Sequence, residues 1–220
     1  MSSVLIVGAG GHAKVAADIF RQMGLSILGY LDDDPAKTGL KLLGLPILGQ
    51  IQSYADYSDA AFIVGIGANQ TRYNLAQQLT QAGVHWASAV HPRAVVAESV
   101  TLGAGGLVAA QAALNPDTQI GDHVIINTGA TVDHDCSIGD FVHVAPGAHL
   151  AGGVKVGAGT LIGIGTVVTP YRTIGSGVVI GAGAVIVDDV PDNVTVVGVP
   201  GRIISTNRHP WPPAASLLFR

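Results

Sequence analysis

Within Val132-Asp133-His134-Asp135-Cys136 an imidazole is followed at once by a carboxylate. A histidine titrates near neutrality, so it can take a proton from an attacking amine or hydroxyl, while a neighbouring carboxylate holds one tautomer and stabilises the imidazolium. His123, His143 and His149 lie in the same half of the chain, and Asn127 stands seven residues before His134. At the other end, Gly8-Ala9-Gly10-Gly11-His12-Ala13 fits G-x-G-x-x-[GA], and Asp32 falls 24 residues beyond Gly8. Such a turn presents backbone N–H groups to a phosphate at a helix N-terminus, and an acid at that spacing suits a ribose hydroxyl.

These groups need a scaffold, and composition narrows it. Of 220 residues, 48% are hydrophobic but only 5% aromatic and 12% charged, with 30 glycines, so the core is made of small and aliphatic side chains. The net charge is −4, and between Arg93 and Arg202 the only basic residues are Lys155 and Arg172. That is no footprint for nucleic acid, which requires clustered Lys and Arg. The single cysteine, Cys136, cannot form an internal disulfide, and Met1-Ser2-Ser3 runs straight into an apolar segment without signal-peptide shape. A cytoplasmic protein is expected. The uncharged stretch Ser99 to Pro116 raises the question of a membrane span, but glycines and amides interrupt it.

A repeat explains that apolar character. Every sixth residue from Val96 to Ile186 is Val, Ile or Leu, sixteen in succession, and the site four residues further on is usually small or Val, as at Gly106, Ala112, Thr118, Ala130, Cys136, Ala148, Thr160, Thr166 and Ala184. Leu/Ile/Val-Gly pairs recur at 102, 120, 138, 156 and 174, a period of 18. The spacing predicts a three-sided parallel β-helix in which each hexad is one strand and a corner, with the aliphatic residue inward. Five turns at about 4.8 Å make a prism roughly 25 Å tall. His134 and Asp135, two and three residues after inward Val132, fall at a corner.

Before the repeat, Val4–Val7, a helix over 14–23, a strand over 27–31, a strand over 62–66 and a helix over 72–81 form a βαβ-based, Rossmann-like unit. A dinucleotide needs two mononucleotide-binding halves, and some eighty residues supply one, so a nucleotide-sugar fits better than NAD. The domain expectation is 1–86 Rossmann-like, 87–204 β-helix, and 205–220 a proline-rich tail.

This domain order, with Gly8-Ala9-Gly10-Gly11-His12-Ala13-Lys14, Asn127-Thr128-Gly129, Val132-Asp133-His134-Asp135-Cys136 and Val197-Gly198-Val199-Pro200-Gly201-Arg202, resembles the bacterial sugar acyltransferases that acetylate nucleotide-linked amino sugars. The resemblance implies a left-handed β-helix, acetyl-CoA as co-substrate with no metal, and a homotrimer with active sites between subunits. It makes His134 the base and Asp135 its acidic partner. It assigns the nucleotide-sugar to Gly10, Gly11, His12, Asp32 and Asp33, with Asn127 as an active-site amide and Gly65 and Asn69 as weaker candidates. The cofactor falls to His143, Gly152, Ile164, Ala182 and Arg202. The product would enter glycan or lipopolysaccharide synthesis. Gly201-Arg202 departs from the commoner Ala-Lys.

Two other readings share parts of this pattern. Acylation of a hydroxyl, as in sialic-acid O-acetylation or serine acetyltransfer, keeps the cofactor and changes the acceptor. A β-helical zinc carbonic anhydrase would use histidines such as His123, His143 and His149, although their spacings lack that family's close pair.

Overall fold

The computed structural model describes residues 3–207 and 211–212. It divides between Pro92 and Arg93 into two compact units.

In the first unit, the apolar run β1 (Val4–Val7) is buried at every position and lies parallel between two neighbours. Helix α1 (Gly11–Gln22) buries Ala13, Ala16, Ala17, Ile19 and Phe20, one stripe at helical spacing. It stops because Gly24 takes φ +75°, letting Leu25 N–H reach Phe20 O at 3.0 Å and Gly24 N–H reach Arg21 O at 3.0 Å. Strand β2 (Ile27–Leu31) follows, then a short hairpin of β3 (Lys41–Leu42) and β4 (Leu45–Gly49), strand β5 (Ala61–Val64), helix α2 (Asn69–Gln81) and β6 (His85–Trp86). The sheet order is β3-β4-β2-β1-β5-β6, parallel except for the hairpin. Its topological switch point lies between β1 and β5, and ligands of such sheets bind outside the carboxyl ends of those strands.

Three details differ from the sequence reading. Both helices begin three residues earlier than the periodicity indicates, because their N-caps, Gly10 and Ala68, have no side-chain capping bond to mark the start. The β3–β4 hairpin is additional; its turn places Leu43 and Gly44 at φ 50° and 77°, and leucine is not a residue that announces such a turn. His85–Trp86, expected as connection, pairs with β5.

The second unit is the left-handed β-helix. Two-residue strands pair in parallel at a separation of 18 along all three sides: Val95–Val96 with Ala113–Leu114, Thr101–Leu102 with Gln119–Ile120, Leu107–Val108 with Ile125–Ile126, and upward from there. From Val108 to Ile186 every inward position is at most 6% exposed. The exceptions are in the first turn: Leu102 is 38% exposed, since no coil lies beneath it. Burying each such side chain contributes about 1.5–3 kcal/mol.

The corners have their own rule. From Gly105 to Gly183 every sixth residue has φ between 54° and 70°. Eight of these are glycines, and the others are Gln111, Asp117, His123, Asp135, Phe141 and Tyr171. The small interior sites with polar atoms satisfy themselves across one turn: Thr118 Oγ1 donates to Asp133 O at 2.7 Å, Thr160 Oγ1 to Gly175 O at 2.7 Å, Thr166 Oγ1 to Gly181 O at 3.3 Å, and Cys136 Sγ to Ala151 O at 3.3 Å.

At the last turn the chain reverses. Strand Val194–Val197 continues the parallel stack, and Arg202–Thr206 returns antiparallel against it. Ser205 and Thr206, expected in an irregular tail, therefore belong to this strand. Asn207 Nδ2 donates to Gly177 O at 2.6 Å, and Trp211 N–H donates to Asn193 Oδ1 at 2.6 Å. Trp211 also approaches the Phe141 ring, centroids 6.0 Å apart, and Phe141 stacks on His123 at 5.0 Å. Residues 208–210 and 213–220 of the expected tail lie outside the described residues.

The buried hydroxyl of Thr160 also accepts from Val178 N–H at 3.1 Å. Thr160→Val, nearly isosteric, strands both partners in the core and should cost about 1–3 kcal/mol in urea unfolding. A loss below ~0.5 kcal/mol would show that the interior bond carries no weight.

Candidate active site

His134 and Asp135 occupy the corner column that also carries Pro116-Asp117 one turn below and Gly152-Gly153 one turn above. Backbone bonds Asp135 N–H to Pro116 O (3.1 Å) and Gly153 N–H to His134 O (2.9 Å) lock the three turns together. Asp135 takes φ 58°, a conformation aspartate tolerates better than most residues, and this folds its carboxylate back onto the preceding ring. Asp135 Oδ2 accepts from His134 Nδ1 at 2.7 Å. Because a carboxylate only accepts, Nδ1 carries the proton and Nε2 keeps its lone pair. Behind the pair, Asp133 Oδ1 accepts from the His134 backbone N–H at 2.8 Å and from Asn115 Nδ2 at 2.7 Å.

The ring lies against Gly152. A Cβ there would stand 2.6 Å from His134 Cε1 and Nε2, so glycine is required for the imidazole to take this position. The side chains of His134 and Asp135 are 51% and 63% exposed, open to a substrate. The hydrogen bond to Asp135 holds the imidazole pKa above its ordinary 6.5, with the Asp133 charge adding to it. Asp133 is held below the usual carboxylate range, first by the Asn115 hydrogen bond. Burial pushes the Cys136 thiol up, which suits an interior packing residue rather than a nucleophile.

Asn127 and His143 meet each other instead. Asn127 Nδ2 approaches His143 Nε2 at 3.1 Å, and its Oδ1 accepts from Thr128 N–H at 2.8 Å. An amide nitrogen only donates, so the His143 Nε2 lone pair is engaged. Both residues flank the next corner, that of Thr128-Gly129 and Pro146-Gly147. Ile164, 60% exposed, and Ala182 stand above on the same corner, joined by Gly165 N–H to Pro146 O (3.0 Å) and Gly183 N–H to Ile164 O (2.8 Å). The cofactor candidates thus fall into two groups. Gly152 belongs to the His134 corner, while His143, Ile164 and Ala182 line a corner one side of the prism away, roughly 15–20 Å in the same chain. Arg202 is exposed on the return strand, its Nη1 donating to Gly201 O at 2.8 Å.

The histidines that a zinc site would need are dispersed: His123 stacks on Phe141, His143 meets Asn127, and His149 Nδ1 shares a 2.9 Å bond with Thr131 Oγ1. Among the described residues no three His, Cys, Asp or Glu side chains converge.

In the first unit, the glycine turn sits at the switch point. Gly10 and Gly11, at the start of α1, are exposed, with nothing within 4 Å of where a Cβ would project. Gly8, at φ 96°, is required for packing, since its Cβ would meet Ile66 Cγ1 at 2.7 Å. Gly65 likewise admits α1 to the sheet: its Cβ would stand 2.9 Å from Ala13 Cα.

Asp32 and Asp33 have work inside the unit that the spacing did not reveal. Asp32 accepts from Ala9 N–H at 2.7 Å, from Asp34 N–H at 3.0 Å and from Lys37 Nζ at 3.1 Å; Asp33 Oδ1 accepts from Ile51 N–H at 2.9 Å. Burial pushes the Asp32 carboxyl up, but these donors outweigh it and leave the pKa below the ordinary value. Asn69 Oδ1 accepts from Arg72 Nη2 at 2.8 Å, and Arg72 Nη1 donates to Ile66 O and Gly67 O. Arg72 is 1% exposed, and burial lowers its pKa to about 9. It holds the loop after β5 in place, a part that helical periodicity alone could not disclose. Asn115 and Asp133 were also missed as supports of His134, although their separation of 18 places them on adjacent turns.

A nucleotide-type glycine turn joined to a hexapeptide β-helix with a corner His–Asp pair defines the hexapeptide acyltransferase class. Residues 3–79 match the PglD N-terminal domain, and residues 117–152 match the bacterial transferase hexapeptide (six repeats). Among solved structures, a histidine-to-asparagine variant of perosamine N-acetyltransferase from Caulobacter crescentus, in complex with CoA and GDP-perosamine, is 40% identical with a TM-score of 0.88, over 93% of this chain and 98% of that one. The acetyltransferase domain of PglB from Neisseria gonorrhoeae FA1090, in complex with acetyl coenzyme A, is 37% identical with a TM-score of 0.88, over 92% and 98%. UDP-N-acetylbacillosamine N-acetyltransferase of Bacillus subtilis (strain 168) is 36% identical over 113 residues, 50% of this chain and 52% of that protein. The chain spans about half or less of the length of the curated relatives it matches. It belongs to the family of hexapeptide-repeat sugar acetyltransferases that carry a PglD N-terminal domain.

The raised pKa of His134 has a direct readout. In an NMR titration its ring should stay protonated to higher pH than a free histidine, and Asp135→Asn, which removes the charge but not the shape, should bring the midpoint down. An unchanged or higher midpoint in the variant would contradict the pairing.

Proposed function

We propose that the protein transfers an acetyl group from acetyl-CoA to the amine of a nucleotide-linked deoxy-amino sugar. The observation that carries this reading is the exposed His134 ring, oriented by Asp135 through Nδ1 and presenting Nε2 over Gly152. The acceptor nitrogen attacks the thioester carbonyl, forming the C–N bond. Nε2 takes the proton that the nitrogen sheds, and the imidazolium is stabilised by Asp135. As the tetrahedral intermediate collapses, the C–S bond breaks, and the proton passes to the departing sulfur to give free CoA. His143 cannot compete as the base while Asn127 engages its Nε2; it and Asn127 instead orient the thioester.

The N-terminal turn binds the acceptor's diphosphate at the N-terminus of α1, with Gly10, Gly11 and His12 as direct contacts. Asp32 and Asp33 contribute by bracing the loops around that turn. Gly152, Ile164, Ala182 and Arg202 serve acetyl-CoA. Since His134 and the His143 corner are a full side apart in one chain, a second copy supplies the missing half of each site, and a ring of three closes with the fewest subunits that use one such interface throughout. The enzyme is a cytoplasmic homotrimer working in glycan or lipopolysaccharide synthesis. Among the described residues no helix is long and apolar enough to cross a membrane.

The reaction is tested by following thiol release from acetyl-CoA with UDP-, GDP- and dTDP-linked amino sugars. His134→Ala should lower kcat by roughly 10²- to 10⁴-fold. If that variant stays within a few-fold of wild type and His143→Ala carries the large defect, the base is misassigned; if no amino sugar is turned over but a hydroxyl acceptor is, the acceptor class is. For the assembly, light scattering should give a mass about three times that of one chain, and a monomer mass at micromolar concentration would refute it.

A further inference from the structure

Three aromatic side chains sit at the left-handed corners of the coil: His123, Phe141 and Tyr171, at φ 54°, 59° and 59°. A bulky residue in this region is a genuine outlier, so each needs a compensating reason. For His123 and Phe141 the reason is packing, since both are 5% exposed and their rings stack at 5.0 Å. Tyr171 is different. It is 70% exposed, so its ring contributes little burial to the fold at the position where glycine would be easier.

Its location supplies the reason. Tyr171 lies one turn above Gly153 on the corner of His134, held by Tyr171 N–H to Gly152 O at 2.9 Å. A Cβ at Gly153 would collide with Tyr171 Cδ1, as one at Gly152 would collide with the His134 ring. The two rings therefore cover adjacent residues of one Gly-Gly step, from above and from below. With Cα atoms 3.8 Å apart, their nearest atoms are at most ~12 Å from each other. The surroundings of His134 differ on its two sides. Beside it and one turn below are the carboxylate of Asp133 and the amide and carboxylate of Asn115 and Asp117; above are Gly152, Gly153, Pro170 and the Tyr171 ring. A polyhydroxylated sugar suits the polar side, whereas a thioester with its thin methylene chain suits the glycine ledge and aromatic wall.

We infer that Tyr171 is a binding residue for the acyl donor, its ring forming the wall against which the thioester and the adjoining cysteamine end of the pantetheine arm lie. The inference rests on the acetyl-CoA reading above and deepens it: the wall fixes the donor's reactive end beside Nε2 and leaves the acceptor's contacts to other residues.

Tyr171→Gly is the informative variant, because glycine at φ 59° removes the ring while relaxing the backbone, so the thermal midpoint should hold or rise. Its KM for acetyl-CoA, and its Kd for CoA by calorimetry, should increase about 5- to 20-fold. The acceptor KM and the pH dependence of kcat should stay as in wild type, and Tyr171→Phe should restore donor affinity. An acetyl-CoA KM within twofold of wild type, or an increase confined to the acceptor KM, overturns the inference while leaving the function standing. A wild-type protein that binds no CoA overturns both.

Discussion

Everything in the second unit depends on the parallel backbone ladder at a separation of 18. Each coil bonds to the coil above and the coil below, as Ile125 N–H does to Val142 O (2.9 Å) and Leu107 N–H to Val124 O (2.8 Å). The ladder fixes where each hexad bends, and the bend demands a left-handed residue every sixth position. Side chains beside those bends are thus aligned into vertical columns with little freedom. The constraint explains why a reactive group on this scaffold has neighbours one turn away as well as beside it in sequence. Asn115, through Asp133, and Gly152 act on His134 through that geometry.

The candidate site shows how a largely exposed imidazole becomes specific. No deep pocket desolvates His134. Its tautomer, orientation and raised basicity come from one carboxylate folded back by a left-handed φ, and its position from the missing Cβ at Gly152. Burial does contribute in the first unit, where Arg72 is withdrawn from water to fasten a loop by backbone carbonyls, and where Asp32 ties the glycine turn to the end of β2. One unit shapes its ligand surface by internal bracing, the other by a repeating backbone.

Much of this was legible because a period leaves a trace in every residue. The inward register from Val108 to Ile186 and the corner position of His134 and Asp135 follow from the hexad alone. The roles of Asp32 and Asp33 did not: spacing after a glycine turn indicates that an acid reaches the turn, but not that Ala9, Asp34 and Lys37 will occupy its oxygens first. The hairpin Lys41–Gly49 was hidden by two-residue strands and a leucine in its turn, and the starts of α1 and α2 by N-caps without side-chain acceptors. Trp211, within the proline-rich tail, could be placed only by the partners it meets at Asn193 and Phe141.

The reversal at the top of the coil bears on solubility. A stack of parallel rungs has no intrinsic stopping point, and its last rung is a template on which another chain could continue the same pattern into a fibre. Here Arg202–Thr206 runs against the direction of every strand below it and begins with a charged residue. The last parallel rung on this side of the prism is thereby already paired, so a newcomer cannot add to that rung in the register of the strands below.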